Sequence, residues 1–246
     1  MSAPTVAERF RAARKDPSLA VLEGFHPLKH ALRFGAAVLE AICVDSRGVA
    51  DLAARLAPDI AGRLGELALV EVDAGTYEAA APRPPAPVLA IARRPEPPRA
   101  FDGDAPLVVL DRPTHHGNVG AVVRVAAAAR AAGVFSLGGA DPWHPAALRG
   151  GAGLQFAVAS RAGRQADLDA LVEGRPLVAV VPGAPRPPAP LPRRSALLFG
   201  SEREGLRPGL REAAGQAVGI PMREGVSSLN LATAVAVLLY GAYLEG

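Results

Sequence analysis

The sequence predicts an α/β protein with a small N-terminal α/β domain and a larger C-terminal one. Two observations carry that reading. Apolar strand-like runs at Ala196–Phe199 and Ala217–Ile220 each end in a turn rich in Gly, Ser, Glu or Pro, and the second turn feeds a long Ala/Val/Leu segment. Upstream, the strand Leu107–Leu110, a Gly-containing turn, an Ala-rich helix and the strand Val134–Leu137 make a βαβ unit. Open α/β sheets bind ligands at the ends of such strands, so a small-molecule site is expected there.

Taken in order, residues 4–15 read as a short basic helix with Arg9, Arg11, Arg14 and Lys15 around Phe10. Such a charge cluster is ordinarily a solvated face, with an RNA contact the lesser alternative. A strand at Leu19–Leu22, a tight Glu23-Gly24 turn and a helix near Pro27–Phe34 follow. Pro27 suits the first helical turn and Gly35 the end. Strands are expected at Val38–Val44, Leu67–Val72 and Val88–Ala92, with helices at Val49–Leu56 and Ala74–Ala80. Residues 1–93 thus form one domain, and 94–105, broken by proline and charge, read as a linker.

The second domain spans 106–246. Its first helix is expected over Val119–Ala132 with Gly133 as terminator. Further strands are expected at Gln155–Ala159, Leu177–Val181, Ala196–Phe199 and Ala217–Ile220, with a short helical spacer between the last two. The Pro-rich stretch 182–192 reads as a surface loop rather than a PxxP docking ligand. Ser227 or Ser228 is the expected N-cap of the final helix.

Composition narrows the classes. With 246 residues, 50% of them hydrophobic and 21% charged, the chain can bury a substantial core. The net charge is +3, and the only lysines are Lys15 and Lys29, so the basic residues are almost all arginine. Arginine suits phosphates and bases, although coding bias accounts for the abundance equally well. Cys43 is the only cysteine, which excludes an intramolecular disulfide and a multi-cysteine zinc site. The polar N-terminus lacks the apolar core of a signal peptide, and Leu231–Tyr240 is too short to span a bilayer, so a cytoplasmic protein with no membrane partner is expected.

Near-matches exclude other chemistries. GSEREGL has the glycine spacing of a phosphate loop, but Leu206-Arg207 replaces the required Lys-Ser/Thr pair. No GxGxxG follows a strand. The adjacent pair His115-His116 has no accompanying carboxylate or thiol cluster, and no metal site is expected.

Three other blocks form a pattern in order: Asn118-Val-Gly-Ala-Val-Val-Arg124, Leu198-Phe-Gly-Ser-Glu-Arg-Glu-Gly205 and Ile220-Pro-Met-Arg-Glu-Gly-Val-Ser-Ser-Leu-Asn230. They resemble the three motifs of the SpoU/TrmH branch of the SPOUT RNA methyltransferases over about residues 106–243. The N-terminal LEGFHPLKHAL looks like the substrate-binding domain of ribosomal-RNA members. The resemblance implies a deep trefoil knot around a mainly parallel sheet, an exception to the rule that chains avoid knots. It implies S-adenosylmethionine held by Gly200, Ile220 and Leu229, and a homodimer with each active site at the interface. The implied reaction is methyl transfer to a ribose 2′-hydroxyl, with ribosomal RNA favoured.

By matching positions, Arg124 stabilises charge on the attacking oxygen or anchors phosphate, Asn118 positions Arg124 and the ribose, and Glu202 holds the arginine or the turn. Ser228 and Asn230 complete the hydrogen-bond network. From the residues alone, Asn118 and Ser228 could be helix caps and Glu202 a solvated turn residue. Arg124 interrupts a run that reads as buried, where it would need a partner. Three departures stand out: His115-His116 replaces the usual Asp-Pro, Arg130 replaces a glycine, and Gly150 stands in the serine position of a turn. Two alternatives remain open: a non-catalytic RNA- or ribosome-binding knotted dimer, and a transfer-RNA 2′-O-methyltransferase.

Overall fold

The computed structural model describes residues 3–81, 86–185 and 191–243. The chain forms two compact units, Met1–Glu96 with His144–Ala157, and Pro97–Trp143 with Val158–Gly246.

The first unit begins with helix α1 (Val6–Ala13), whose Thr5 hydroxyl accepts from Glu8 N–H while the Glu8 carboxylate accepts from Thr5 N–H, a capping box. Then come β1 (Leu19–Glu23), α2 (Phe25–Arg33), β2 (Val38–Cys43), α3 (Ser46–Leu56) and α4 (Ala61–Glu66). The strand β3 (Leu69–Glu71), α5 (Ala74–Ala80) and β4 (Val88–Arg93) complete it. The sheet order is β1-β4-β2-β3, with β4 antiparallel to both neighbours and β2 parallel to β3. Of the basic cluster on α1, Arg9 pairs with Glu40 at 2.7 Å and Arg14 with Glu23 at 3.1 Å. Helix α4 and the 3-10 turn before it, Pro58–Ile60, lack a strong periodic pattern and are new relative to the sequence reading.

The second unit opens with β5 (Leu107–Asp111), α6 (His116–Ala128) and β6 (Gly133–Leu137). Helix α7 (Pro145–Gly150) follows in the chain but belongs to the first unit. Thereafter come β7 (Ser160–Gly163), α8 (Gln165–Leu171), β8 (Leu177–Val180), β9 (Ala196–Phe199), α9 (Pro208–Ala213), β10 (Gln216–Val218) and α10 (Leu231–Tyr243). The six-stranded sheet runs β10-β8-β9-β5-β6-β7, and every pairing is parallel. Strand residues alternate between two cores, as parallel sheets covered on both faces require. Val108 and Leu110 join the α6 and α10 side chains on one face, while Leu107 and Val109 join Phe101, Leu168 and Leu210 on the other.

Several sequence expectations are corrected. Helix α6 ends at Ala128, not at Gly133. Arg130 sits at φ +54° and closes the helix, its N–H and that of Ala131 bonding back to Ala127 and Ala126 at 3.3 and 2.9 Å. Gly133 instead opens β6, where an added Cβ would lie 2.1 Å from the Phe101 ring. No strand forms at Gln155–Ala159; Leu154–Phe156 is a 3-10 turn and the strand starts at Ser160. The apolar run there serves docking. Residues 144–157 pack on β1 and α2 of the first unit, where Arg149 bonds the buried Glu23 carboxylate at 2.8 Å and His30 Nδ1–H donates to Ala152 O at 2.6 Å. Residues 101–105, within the expected linker, are held by buried Arg175, which donates to the carbonyls of Phe101, Gly103 and Ala105. Residues 186–190 of the Pro-rich stretch lie outside the described residues.

Candidate functional site

The strands β8, β9 and β5 are parallel, so their C-terminal ends share one edge of the sheet. Chain order reverses there: β6 and β7 extend from β5 on one side, while β9, β8 and β10 lie on the other. Ligand crevices form at such a switch point. A cavity of about 730 Å³ occupies this edge, lined by Val180, Val181, Phe199 and Gly200, residues 201–206, Ile220, Met222 and 227–231, together with His115 and Asn118.

The loop after β9 is closed on itself. Ser201 and Gly205 exchange backbone hydrogen bonds at 3.1 Å in both directions, and Gly205 adopts φ +68°. Gly200 is obligatory here, since a Cβ would fall 2.0 Å from the carbonyl carbon of Gly205. The loop is also pinned from outside. Asp111, only 1% exposed at the end of β5, accepts from Arg207 N–H at 3.0 Å and from its Nε at 2.7 Å. Next to it, Arg112 reaches Glu204 at 2.7 Å. These charge-assisted bonds fix the loop that carries Glu202.

A continuous chain of hydrogen bonds joins the three sequence blocks. Glu202 accepts from Asn118 Nδ2 at 2.8 Å and from the hydroxyl and N–H of Thr114 at 3.2 and 3.4 Å. Asn230 Nδ2 donates to Asn118 Oδ1 at 3.2 Å, and Asn230 Oδ1 accepts from Ala232 N–H at 2.9 Å and Thr233 N–H at 3.4 Å. Asn230 therefore caps α10, and neither Ser227 nor Ser228 does. Burial alone raises the Glu202 carboxyl, but the bonds from Asn118, its own backbone and Thr114 outweigh that, so its pKa lies below the ordinary value. The group is an anchored carboxylate.

Of the residues expected from sequence, Asn118, Glu202, Ser228, Asn230, Gly200, Ile220 and Leu229 all border the cavity. Ser228 makes no hydrogen bond among the described residues. Arg124 is different: it does not line the cavity, is exposed rather than buried, and has no ion pair or hydrogen bond among the described residues. Its six-residue offset from Asn118 carries it roughly 9 Å along α6. Asn118 accordingly binds Glu202 and Asn230, and Glu202 holds Asn118 and Thr114. Sequence reasoning missed Thr114, Asp111, Arg112 and Arg207. The one available signal was a carboxylate ending the apolar run LVVLD, which demands a partner once buried.

The backbone groups of Ile220, Ser227, Ser228 and Leu229 that face the cavity form no hydrogen bonds among the described residues, apart from those of the helix that follows. With apolar Phe199, Ile220, Leu229 and Leu231 beside them, the site suits a ligand of mixed character, with a flat apolar part and several polar edges.

Known proteins resemble this chain in sequence and fold. A 23S rRNA (uridine(2479)-2′-O)-methyltransferase of Streptomyces viridochromogenes is 33% identical over 146 residues, 55% of this chain and 51% of that protein. The chain spans about half the length of the curated relatives it matches. A solved RNA 2′-O ribose methyltransferase is 29% identical, with a TM-score of 0.73 over 96% of this chain and 95% of that one. An AdoMet-bound rRNA methyltransferase from Sinorhizobium meliloti, at 24% identity, shares the fold with a TM-score of 0.78 over 98% and 94% of the two chains. The model of the SpoU rRNA Methylase family matches residues 105–240, more than half of the chain and all three blocks around the cavity. The chain belongs to the SpoU rRNA methylase family.

Proposed function

We propose that the second unit binds S-adenosylmethionine in this cavity and that the protein methylates a ribose 2′-hydroxyl of RNA, with ribosomal RNA the favoured substrate. The hydrogen-bonded chain Thr114–Glu202–Asn118–Asn230, which ties the family's three motifs around one cavity, is the observation that carries the reading. The residues present fit the cofactor. The volume suits a ligand of that size, unpaired backbone groups offer partners for adenine and the amino-acid end, and Ile220 and Leu229 offer apolar contact. When bound, the cofactor supplies a sulfonium methyl group open to attack.

The protein's part is to orient the hydroxyl and to stabilise charge developing on its oxygen. Asn118 is held by Glu202 on one side and Asn230 on the other, so its amide is fixed where it lines the cavity. Ser228 borders the same space with its hydroxyl uncommitted. Arg124 enters this scheme through a homodimer, acting at the site completed by a second copy of the chain. Its exposure on α6 supports that role, as does the stripe Thr233, Val237 and Tyr240 on the adjoining α10, where Val237 and Tyr240 are each 43% exposed. Contiguous apolar exposure of this kind marks interaction surfaces.

The knot is part of the proposal. The segment after β10 is bound to the 181–185 loop, with Val181 N–H donating to Val218 O at 3.0 Å and Gly219 N–H to Pro185 O at 2.7 Å. A Cβ on Gly219 would lie 2.3 Å from Ala184 O, so the two segments cross in close contact. The first unit is assigned to grip RNA.

The test is transfer of labelled methyl from S-adenosylmethionine to ribosomal RNA, followed by digestion to nucleosides and mass spectrometry. A 2′-O-methylnucleoside is the expected product. Methylation of transfer RNA alone would overturn the preference for ribosomal RNA. The distance of Arg124 from the cavity favours a second reading, a binding protein without turnover. RNA binding with no methyl transfer by a verified dimer would establish it.

A further inference from the structure

We propose that His115 is a further catalytic residue, the group that takes the proton from the ribose 2′-hydroxyl; the inference rests on the methyl-transfer reading above. Methylating an alcohol oxygen releases one proton, and a side chain near the reacting oxygen must accept it or pass it to water. The cavity wall offers few candidates. Asn118, Ser228 and Asn230 carry amides and a hydroxyl that do not take up protons in this range. Arg203 keeps its proton. Glu202 has its carboxylate occupied by Asn118 and Thr114, and Glu204 is engaged by Arg112 at 2.7 Å.

His115 remains, and imidazole is the side chain suited to proton exchange near neutral pH. It borders the cavity and is exposed. It occupies the N-cap position of α6, at φ −104° and ψ 111°, yet makes no side-chain cap bond. Its ring is therefore not spent on holding the helix. Asn118, whose amide is assigned to orient the ribose, lies three residues on, and both residues line the same cavity. The other ionisable groups lining the cavity are Glu202, Arg203 and Glu204 from the loop after β9, with Arg112 paired to Glu204 and His116 next to His115 in the chain; residues 227–231, which also line it, contribute no charge.

In the step itself, the hydroxyl proton passes to the free imidazole nitrogen as the oxygen's electron pair forms the bond to the methyl carbon. The carbon–sulfur bond breaks with its pair left on sulfur. The products are the 2′-O-methyl ribose, a neutral thioether and an imidazolium that returns its proton to solvent.

The experiment compares wild type with His115→Ala and His115→Gln, using purified ribosomal RNA and labelled S-adenosylmethionine across a pH series. Cofactor affinity is measured in parallel by calorimetry. For wild type, kcat rises with pH and then levels. Both variants lose that rise and fall by roughly 100-fold or more, with cofactor affinity unchanged, and added free imidazole partly restores His115→Ala. Imidazole resonances of wild type also shift when S-adenosylhomocysteine binds. Variants that keep the wild-type rate and pH profile overturn the role of His115 and leave the methyl-transfer reading standing. A wild type that binds no cofactor and transfers no methyl overturns that reading, and this inference with it.

Discussion

Asn230 does two separable things, and substituting it tests both. Its Oδ1 caps α10 through Ala232 and Thr233, and its Nδ2 holds Asn118. Truncation at an N-cap costs about 1 kcal/mol, and loss of the exposed bond to Asn118 adds roughly 0.5 kcal/mol. Asn230→Ala is therefore expected to destabilise the second unit by about 1.5 kcal/mol, lowering its midpoint by roughly 3–6 °C. Asn230→Asp keeps the cap and places a negative charge at a helix N-terminus, so its stability should stay within about 0.5 kcal/mol of wild type. It nevertheless loses the donor to Asn118, and methyl transfer should fall in both variants. The lone tryptophan, Trp143, is buried in the second unit, so its fluorescence reports that unit's unfolding. Equal destabilisation by Asp and Ala would refute the capping argument. Full activity in Asn230→Asp would refute the need for the link to Asn118.

Other perturbations follow from the same geometry. Asp111→Asn should destabilise the second unit by about 2 kcal/mol, a value below that for a fully buried pair because Arg207 is partly solvated; an unchanged thermal midpoint would contradict this. Gly200→Ala drives a Cβ into the backbone of Gly205 and should cost about 1–3 kcal/mol together with cofactor binding, read by denaturant titration and calorimetry. Arg130→Gly relieves a left-handed residue and should stabilise the unit by about 1 kcal/mol. For Glu202 the folded carboxyl is lowered, so its stabilisation is present above the ordinary carboxyl range and is lost as pH falls through the folded pKa. Glu202→Gln should therefore melt below wild type near neutrality and match it in acid.

Strands were legible wherever an apolar run stood between turns: Ala196–Phe199 was read to the residue, and Ala74–Ala80 shows the same for a helix. The misreadings share a cause, which is tertiary contact overriding local pattern. Gln155–Ala159 alternates like a strand but is shaped by docking beside Gly153, whose φ is +77°. Arg130 terminates α6 although glycine is the residue that conformation favours. At the site, Asn118, Glu202 and Asn230 were singled out by the resemblance of the three blocks, while their residue types alone left Asn118 open to a helix cap and Glu202 to a solvated turn residue. Thr114, Asp111 and Arg207 lie outside those blocks, and nothing local marks their partners, up to 96 residues away. The exposure of Arg124 was not legible because an Ala/Val-rich helix looks buried all round, whereas α6 buries only Val119, Gly120, Val122, Val123 and Ala126.

The central claim is that the cavity at the ends of β8 and β9 holds S-adenosylmethionine. Calorimetric titration of the 246-residue chain with S-adenosylmethionine, alone and with ribosomal RNA, tests it most directly. The account predicts saturable binding of one molecule per chain, lost in Gly200→Ala. A folded protein that gives no heat under either condition would contradict it.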